Sequence, residues 1–208
     1  MIRGRLITIE GIDGAGKTSL AAALRDRLQE GGIDVSLLRE PGGVAVAERV
    51  RELVTDPELN VVPRAEALLY AAARAQLVDE AVVPLLDRGR WVLLDRFVDS
   101  SLAYQGAGRG LGLEAVRAIN EFATGGLRPD RTLLLVLGAD TARSRSRSRG
   151  LEADRLEREQ QEFFDRIAAG YLALATGEPD RIRRIDAGSP APDVLEAAWS
   201  ELADLVEL

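Results

Sequence analysis

Leu6-Ile7-Thr8-Ile9-Glu10-Gly11-Ile12-Asp13-Gly14-Ala15-Gly16-Lys17-Thr18-Ser19-Leu20 is the stretch whose reading decides the fold. Gly11 to Thr18 matches G-x-x-x-x-G-K-[ST] without a gap, the pattern of a loop that cradles phosphates. Lys17 is the single lysine among 27 basic residues. Arginine is a planar fork, whereas lysine is a compact point charge that can sit between two phosphates. A chain that otherwise avoids lysine keeps one at the position that needs this shape.

The flanks agree with the loop. Leu6-Ile7-Thr8-Ile9 is a short β-branched apolar run, as a buried parallel strand requires. Glycines let the backbone curl so that its N–H groups converge on an anion. Leu20, Leu24 and Leu28 then recur every four residues, the stripe of a helix lying on a sheet. The N-terminus of that helix adds partial positive charge to the anion site. Thr18 offers a hydroxyl to a phosphate-bound magnesium ion.

Beyond this unit, short apolar runs alternate with helical stretches. Further strands are expected at Val35–Leu38, Arg90–Leu94 ending at Asp95, Thr132–Leu137 and Arg181–Ile185. Helices are expected at about Val44–Thr55, Arg64–Asp87, Leu113–Thr124, Glu157–Thr176 and after Pro190. Such alternation predicts an α/β chain with a parallel sheet of about five strands and helices on both faces. Ligands of such sheets bind at the carboxyl ends of the strands. No internal repeat or linker divides residues 1–208, so one domain is expected.

Composition sets limits. With 46% apolar residues the chain can bury a core and is not a disordered polymer. No run of 18 apolar residues suggests a membrane span, and the N-terminus shows no secretory leader, so a cytoplasmic location is expected. Cysteine and histidine are absent, which removes disulfides, thiolate metal sites and the usual general base. The net charge of −7 disfavours a nucleic-acid partner and points to small-molecule substrates.

Trp91-Val92-Leu93-Leu94-Asp95 is an apolar run that ends in a carboxylate. An aspartate at such a strand end faces the magnesium shell in folds with this loop. Arg96, next in sequence, is placed to clamp a phosphate bidentately.

Four blocks together closely resemble the bacterial thymidylate kinase family: Glu10 to Thr18, Arg39-Glu40-Pro41-Gly42-Gly43, Asp95-Arg96-Phe97 and Ala103-Tyr104-Gln105-Gly106. The resemblance runs from Ile7 to about Ala187. It implies a P-loop NTPase fold and transfer of the γ-phosphoryl group of ATP to dTMP, with Mg2+, in a homodimer. It implies that Gly11, Ile12, Asp13, Gly14, Ala15, Gly16, Lys17 and Thr18 hold the ATP phosphates. Asp13 would contact the sugar 3′-hydroxyl and the metal region, and Arg96 would grip the dTMP phosphate. Tyr70 would stack on thymine and Arg74 reach a base carbonyl; at i and i+4 the two share a helix face. Ser101 would lie near the base. Tyr104 would pack against the sugar 2′ position and disfavour ribonucleotides. Thr18 and Asp95 are the expected metal residues.

The segment Arg143-Ser144-Arg145-Ser146-Arg147-Ser148-Arg149 is the one compositionally biased stretch. Arg143 and Arg147 would share a helical face, as would Arg145 and Arg149. The resemblance makes this the start of a mobile lid, about residues 143–158. Residues 12 to 15 of the loop carry no arginine. Family members of that kind neutralise transition-state charge with lid arginines, here Arg147, Arg149 or Arg155.

Three departures touch details: Ser19 stands where many relatives repeat threonine, Val136 where an aspartate is common, and the lid is one or two residues longer near Leu151-Glu152-Ala153. Three other readings share some of these features. Another nucleoside monophosphate kinase would share the loop and clamp, but not Arg39 to Gly43 or Tyr104. A GTPase switch needs an Asn-Lys-x-Asp block, which a chain with one lysine in its phosphate loop lacks. A catalytically dead nucleotide-binding scaffold would not require Lys17, Thr18, Asp95 and Arg96 together.

Overall fold

The computed structural model describes residues 3–138, 141, 155–156 and 159–206. Five strands form one sheet: β1 (Leu6–Glu10), β2 (Val35–Arg39), β3 (Trp91–Asp95), β4 (Arg131–Val136) and β5 (Ile182–Asp186). Their spatial order is β2-β3-β1-β4-β5 and every pairing is parallel. Chain direction reverses its spatial progress at β1, so a crevice opens at the carboxyl end of that strand.

The helices are α1 (Lys17–Glu30), α2 (Ala45–Thr55), α3 (Pro63–Leu77), α4 (Val83–Asp87), α5 (Val98–Ser101), α6 (Leu113–Thr124), α7 (Gln161–Gly177), α8 (Ala191–Ser200) and α9 (Ala203–Val206). Residues 78–82 join α3 to α4 as a π-helical turn, so the stretch expected as one helix from Arg64 to Asp87 runs nearly unbroken but changes pitch. A second π-helical segment, residues 102–108, continues α5. No helix had been expected between Val98 and Gly108.

Pleating sorts the apolar side chains. Leu93 packs in one cluster with Leu20, Leu24 and Leu28 of α1. Val92 and Leu94, on the opposite face, meet Leu77, Val82 and Leu86. The expected α1 stripe is therefore the buried one, and each leucine contributes roughly 1.5–3 kcal/mol by leaving water. α5 and its π-helical continuation sit against α6 and α7. Among the described residues, no helix is long and apolar enough to cross a membrane.

Candidate active site

The loop after β1 wraps toward its own helix. Gly16 has φ 95°, a left-handed conformation that L side chains resist, with open space where a Cβ would be. Gly11 is constrained by space as well, since a Cβ there would lie 2.6 Å from the Leu135 carbonyl oxygen. Lys17 is 7% exposed; its Nζ donates to the Ile12 carbonyl at 3.0 Å and stands 3.8 Å from Asp13 Oδ1. Burial and the nearby Arg96 push its ammonium down to about 8, against the pull of Asp13, Asp95 and Glu10. An incoming polyanion would reverse that shift.

β3 delivers Asp95 and Arg96 beside the loop, through the register Ile9↔Asp95. Thr18 Oγ1 donates to Asp95 Oδ2 at 2.8 Å, so the two expected metal residues meet. Arg96 is the one described non-glycine residue with positive φ, 69°. A residue held there is strained, and surrounding contacts must hold it. Its Nη2 lies 2.5 Å from Asp13 Oδ1 and its Nη1 donates to the Gly11 carbonyl at 3.2 Å and to Ser100 Oγ at 3.1 Å. Burial alone would raise Asp13, yet Arg96 and Lys17 hold its carboxyl well below the usual range. Tyr104 OH donates to Asp13 Oδ2 at 2.9 Å, and its ring carries the Arg96 guanidinium 5.0 Å from the centroid.

Two cavities open here. One, of about 330 Å³, is lined by Gly14, Gly16, Lys17, Thr18 and Asp95. The other, of about 100 Å³, is lined by Tyr70, Arg74, Ser101, Tyr104 and Gln105. Asp13, Glu40, Arg51 and Arg96 border both. A larger space of about 710 Å³ adjoins the loop at Ala15, Gly16 and Ser19 and is closed by residues 187–192 and Val194.

Two expected side chains sit differently from the sequence reading. Arg74, which the resemblance gives a base carbonyl to reach, is a core residue, 2% exposed. Nε and Nη2 donate to Glu40 Oε2 at 2.8 and 2.5 Å, Nη2 to the Phe97 carbonyl at 2.9 Å, and Nη1 to Ser101 Oγ at 2.8 Å and to Asn120 Oδ1. All five guanidinium N–H groups thus have protein partners, which is what makes its burial tolerable. Arg155 lies on neither phosphate group of residues. Its Nη2 meets Glu66 Oε2 at 2.5 Å and its Nε donates to the Val54 carbonyl at 3.0 Å, because Glu66 is a fully buried carboxylate that gathers cations. Arg147 and Arg149, and most of the expected lid, lie outside the described residues.

Several residues at the site had no assigned role in the sequence. Glu10 is completely buried and accepts four hydrogen bonds, from Phe97 N, Ser100 N, Ser100 Oγ and Tyr171 OH. Burial and the neighbouring Asp99 raise its carboxyl to about 7. Glu40 is buried against Arg74 with Oε1 unpartnered, and burial raises its carboxyl too. Arg51, whose Nη1 donates to the Pro41 carbonyl at 3.1 Å, faces both cavities. Glu10 carried two sequence signals, its place at a strand end before a glycine loop and its position at the head of the first of the four blocks, neither of which gave it a role.

A parallel sheet, a lysine-bearing phosphate loop and an arginine–aspartate pair between two cavities define a P-loop phosphotransferase of the nucleotide-kinase class. A family model described as Thymidylate kinase matches residues 9–198. The thymidylate kinase of Alkalilimnicola ehrlichii is 47% identical over 207 residues, covering 99% of this chain and 95% of that protein. That of Deinococcus radiodurans is 46% identical over 204 residues, covering 98% of each. The Caldanaerobacter subterraneus enzyme is 48% identical over 185 residues, 89% of this chain and 88% of that protein. The chain belongs to the thymidylate kinase family.

Proposed function

We propose that this protein transfers the γ-phosphoryl group of ATP to dTMP, giving dTDP and ADP on the route to dTTP. The observation that carries the reading is the shared border of the two cavities. Lys17 serves one, Tyr70 and Tyr104 serve the other, and Arg96 with Asp13 stands between them. Two nucleotides held phosphate to phosphate fit that layout.

Residues 11–18 would hold the ATP phosphates through backbone N–H groups and Lys17, with the ATP nucleoside in the space beside Ala15 and Ser19. In the smaller cavity Tyr70 stacks on thymine, Ser101 lies beside the base, and Tyr104 covers the 2′ face of the sugar. Arg74 reaches the base carbonyl only by exchanging Ser101 or Asn120 for it. Asp13 takes the sugar hydroxyl while steadying Arg96, which grips the acceptor phosphate.

Thr18 and Asp95 fit Mg2+. Both present hard oxygen donors at one edge of the phosphate cavity. Among the described residues no three acidic side chains cluster to hold an ion unaided. That suits an ion bound mainly through substrate phosphates and water. When bound, it would neutralise charge on the phosphates being transferred.

No general base is needed, because the attacking phosphate oxygen is already anionic at neutral pH. Catalysis therefore rests on positioning and on spreading charge. Lys17 and Arg96 do this from the described residues, and the remaining counter-charge falls to lid arginines, Arg147 and Arg149 first among them. Residues 1–208 act as one catalytic domain in the cytoplasm. The active form is a homodimer, joined where α3 and α6 pack together and leave Leu68 57% and Phe122 93% exposed.

The test is ADP release with dTMP, dUMP, dCMP and dGMP as acceptors. Turnover should need Mg2+ and favour dTMP, and Lys17→Met should lower it by about 10³-fold or more. Equal turnover on all four acceptors would defeat the thymine assignment.

A further inference from the structure

Arg96 is strained, and most of the contacts that hold it there come from far along the chain. α5 starts immediately after it, with Phe97 as the flanking residue, and a phenyl ring cannot cap a helix. Glu10, from the end of β1, does so instead. Its Oε1 accepts from Phe97 N at 2.7 Å and from Ser100 N at 3.2 Å. Phe97 N is an amide that the helix start leaves unsatisfied, and Ser100 N is shared between Glu10 and the Phe97 carbonyl, which accepts from it at 3.1 Å. The same carboxylate acts on the side chains. Its Oε2 accepts from Ser100 Oγ at 2.6 Å and from Tyr171 OH at 2.9 Å, with the two hydroxyls 2.9 Å apart. Ser100 Oγ in turn accepts from Arg96 Nη1 at 3.1 Å.

Flanking residues of β1 add to the same task. The Ile9 carbonyl accepts from Arg96 N at 3.0 Å, and the Gly11 carbonyl from its guanidinium at 3.2 Å. Three consecutive residues, Ile9 and Glu10 of β1 and Gly11 just after it, thus fix the main chain and the head group of one arginine. Tyr171 arrives from α7, far along the chain, and closes the arrangement. Its ring also meets that of Tyr104 edge-on, with centroids 6.4 Å apart.

We propose that Glu10, locked by Ser100 and Tyr171, is the positioning residue that aims Arg96 at the acceptor phosphate. Glu10 itself touches neither nucleotide: it lines none of the three cavities around the loop. A fully buried carboxylate with four donors is costly to keep in an apolar core. Its placement makes sense as the fixed point against which a strained arginine is held. The proposal rests on the reading of Arg96 as the dTMP-phosphate ligand.

The test is a double-mutant cycle of Glu10→Gln and Arg96→Ala, with dTMP and ADP affinities measured separately by calorimetry alongside kcat/KM. Glu10→Gln keeps the shape and removes the charge. The expected result is a loss of dTMP affinity of up to about 100-fold, the scale of a 1 Å misplacement, with ADP affinity unchanged. In the Arg96→Ala background Glu10→Gln should add almost nothing, because both changes remove one function. Tyr171→Phe and Ser100→Ala should give smaller losses in the same direction, also absorbed by Arg96→Ala. Should Glu10→Gln not fold, those two variants decide the matter in the same cycle. Equal losses of dTMP and ADP affinity, or effects that add across the cycle, would overturn the proposal while leaving Arg96 as a ligand. If Arg96→Ala alone left dTMP affinity intact, the reading of Arg96 itself would fall, and this proposal with it.

Discussion

Arg96 Nη2 and Asp13 Oδ1 are 2.5 Å apart, at the border between the phosphate cavity and the nucleoside cavity. Asp13 also stands 3.8 Å from Lys17 and accepts from Tyr104. Asp13→Asn keeps the volume and removes the charge that steadies Arg96. The expected outcome is a fall in kcat/KM for dTMP of about 100-fold. ADP should bind as well as before or more tightly, since a negative charge has left the phosphate loop. Steady-state kinetics and ADP calorimetry check both halves, and weaker ADP binding would contradict the second.

Lys17 titrates near 8 in the folded protein, against an ordinary value of 10.5. Between those values the unfolded chain binds the extra proton, so stability from this group rises with pH across the window; its cost is complete below pH 8. A polyphosphate in the loop restores the ammonium. ADP binding at pH 8 to 9 should therefore take up protons, and affinity should fall as pH rises through about 8. Calorimetry in buffers of different ionisation enthalpy measures the uptake, which Lys17→Met should abolish.

Thr18 and Asp95 share a 2.8 Å hydrogen bond beside the loop. Thr18→Ala and Asp95→Asn should each raise the Mg2+ concentration needed for half-maximal activity, with the larger shift for the lost carboxylate. A Mg2+ titration at fixed total ATP gives the answer. Unchanged Mg2+ dependence in both variants would remove these residues from the metal shell.

Arg155 holds Glu66 and the Val54 carbonyl, while the adjacent Leu156 lines the nucleoside cavity. Its removal should raise KM for dTMP and lower Tm, with kcat changed by about tenfold or less. An arginine that met transition-state charge would instead cost about 10³–10⁵ in kcat. Kinetics of Arg155→Ala beside Arg147→Ala and Arg149→Ala separate the two roles.

Phe122 and Leu68 project from packed helices with 93% and 57% of their surface exposed. Aspartate at either position should convert the proposed dimer to monomers, read by sedimentation velocity. Persistence of the dimer in both variants would move the interface elsewhere.

The strands and most helices were legible because their apolar periodicity is strong: α6 begins and ends where the pattern predicts, and each strand lies within about a residue of its expected bounds. The segment from Val98 to Gly108 was not. It is buried on nearly all sides, so it shows no amphipathic stripe, and its π-helical part departs from the 3.6 period that sequence reading relies on. Ser100 and Gln105 are polar there because they answer Glu10 and Glu66 across long sequence separations. The burial of Arg74 was hidden for the same reason. Arginine is rarely buried, and only the convergence of Glu40, Ser101, Asn120 and Phe97 makes it an exception. Lys17 and Thr18 belong to one local loop pattern, and Asp95 and Arg96 to the end of one apolar strand; those signals are short-range, and the β1–β3 register brings the two pairs together.

The central place of β1 bears on how the protein is made. A ribosome delivers that strand before the other four, yet the two strands that flank it begin only at Trp91 and Arg131. Until both emerge, the amides and carbonyls of Leu6 to Glu10 lack their lattice, and a nascent chain carries an apolar edge open to wrong partners. The phosphate loop follows the first of the five strands in chain order, yet its strand is locked on both sides only once β3 and β4 have paired with it.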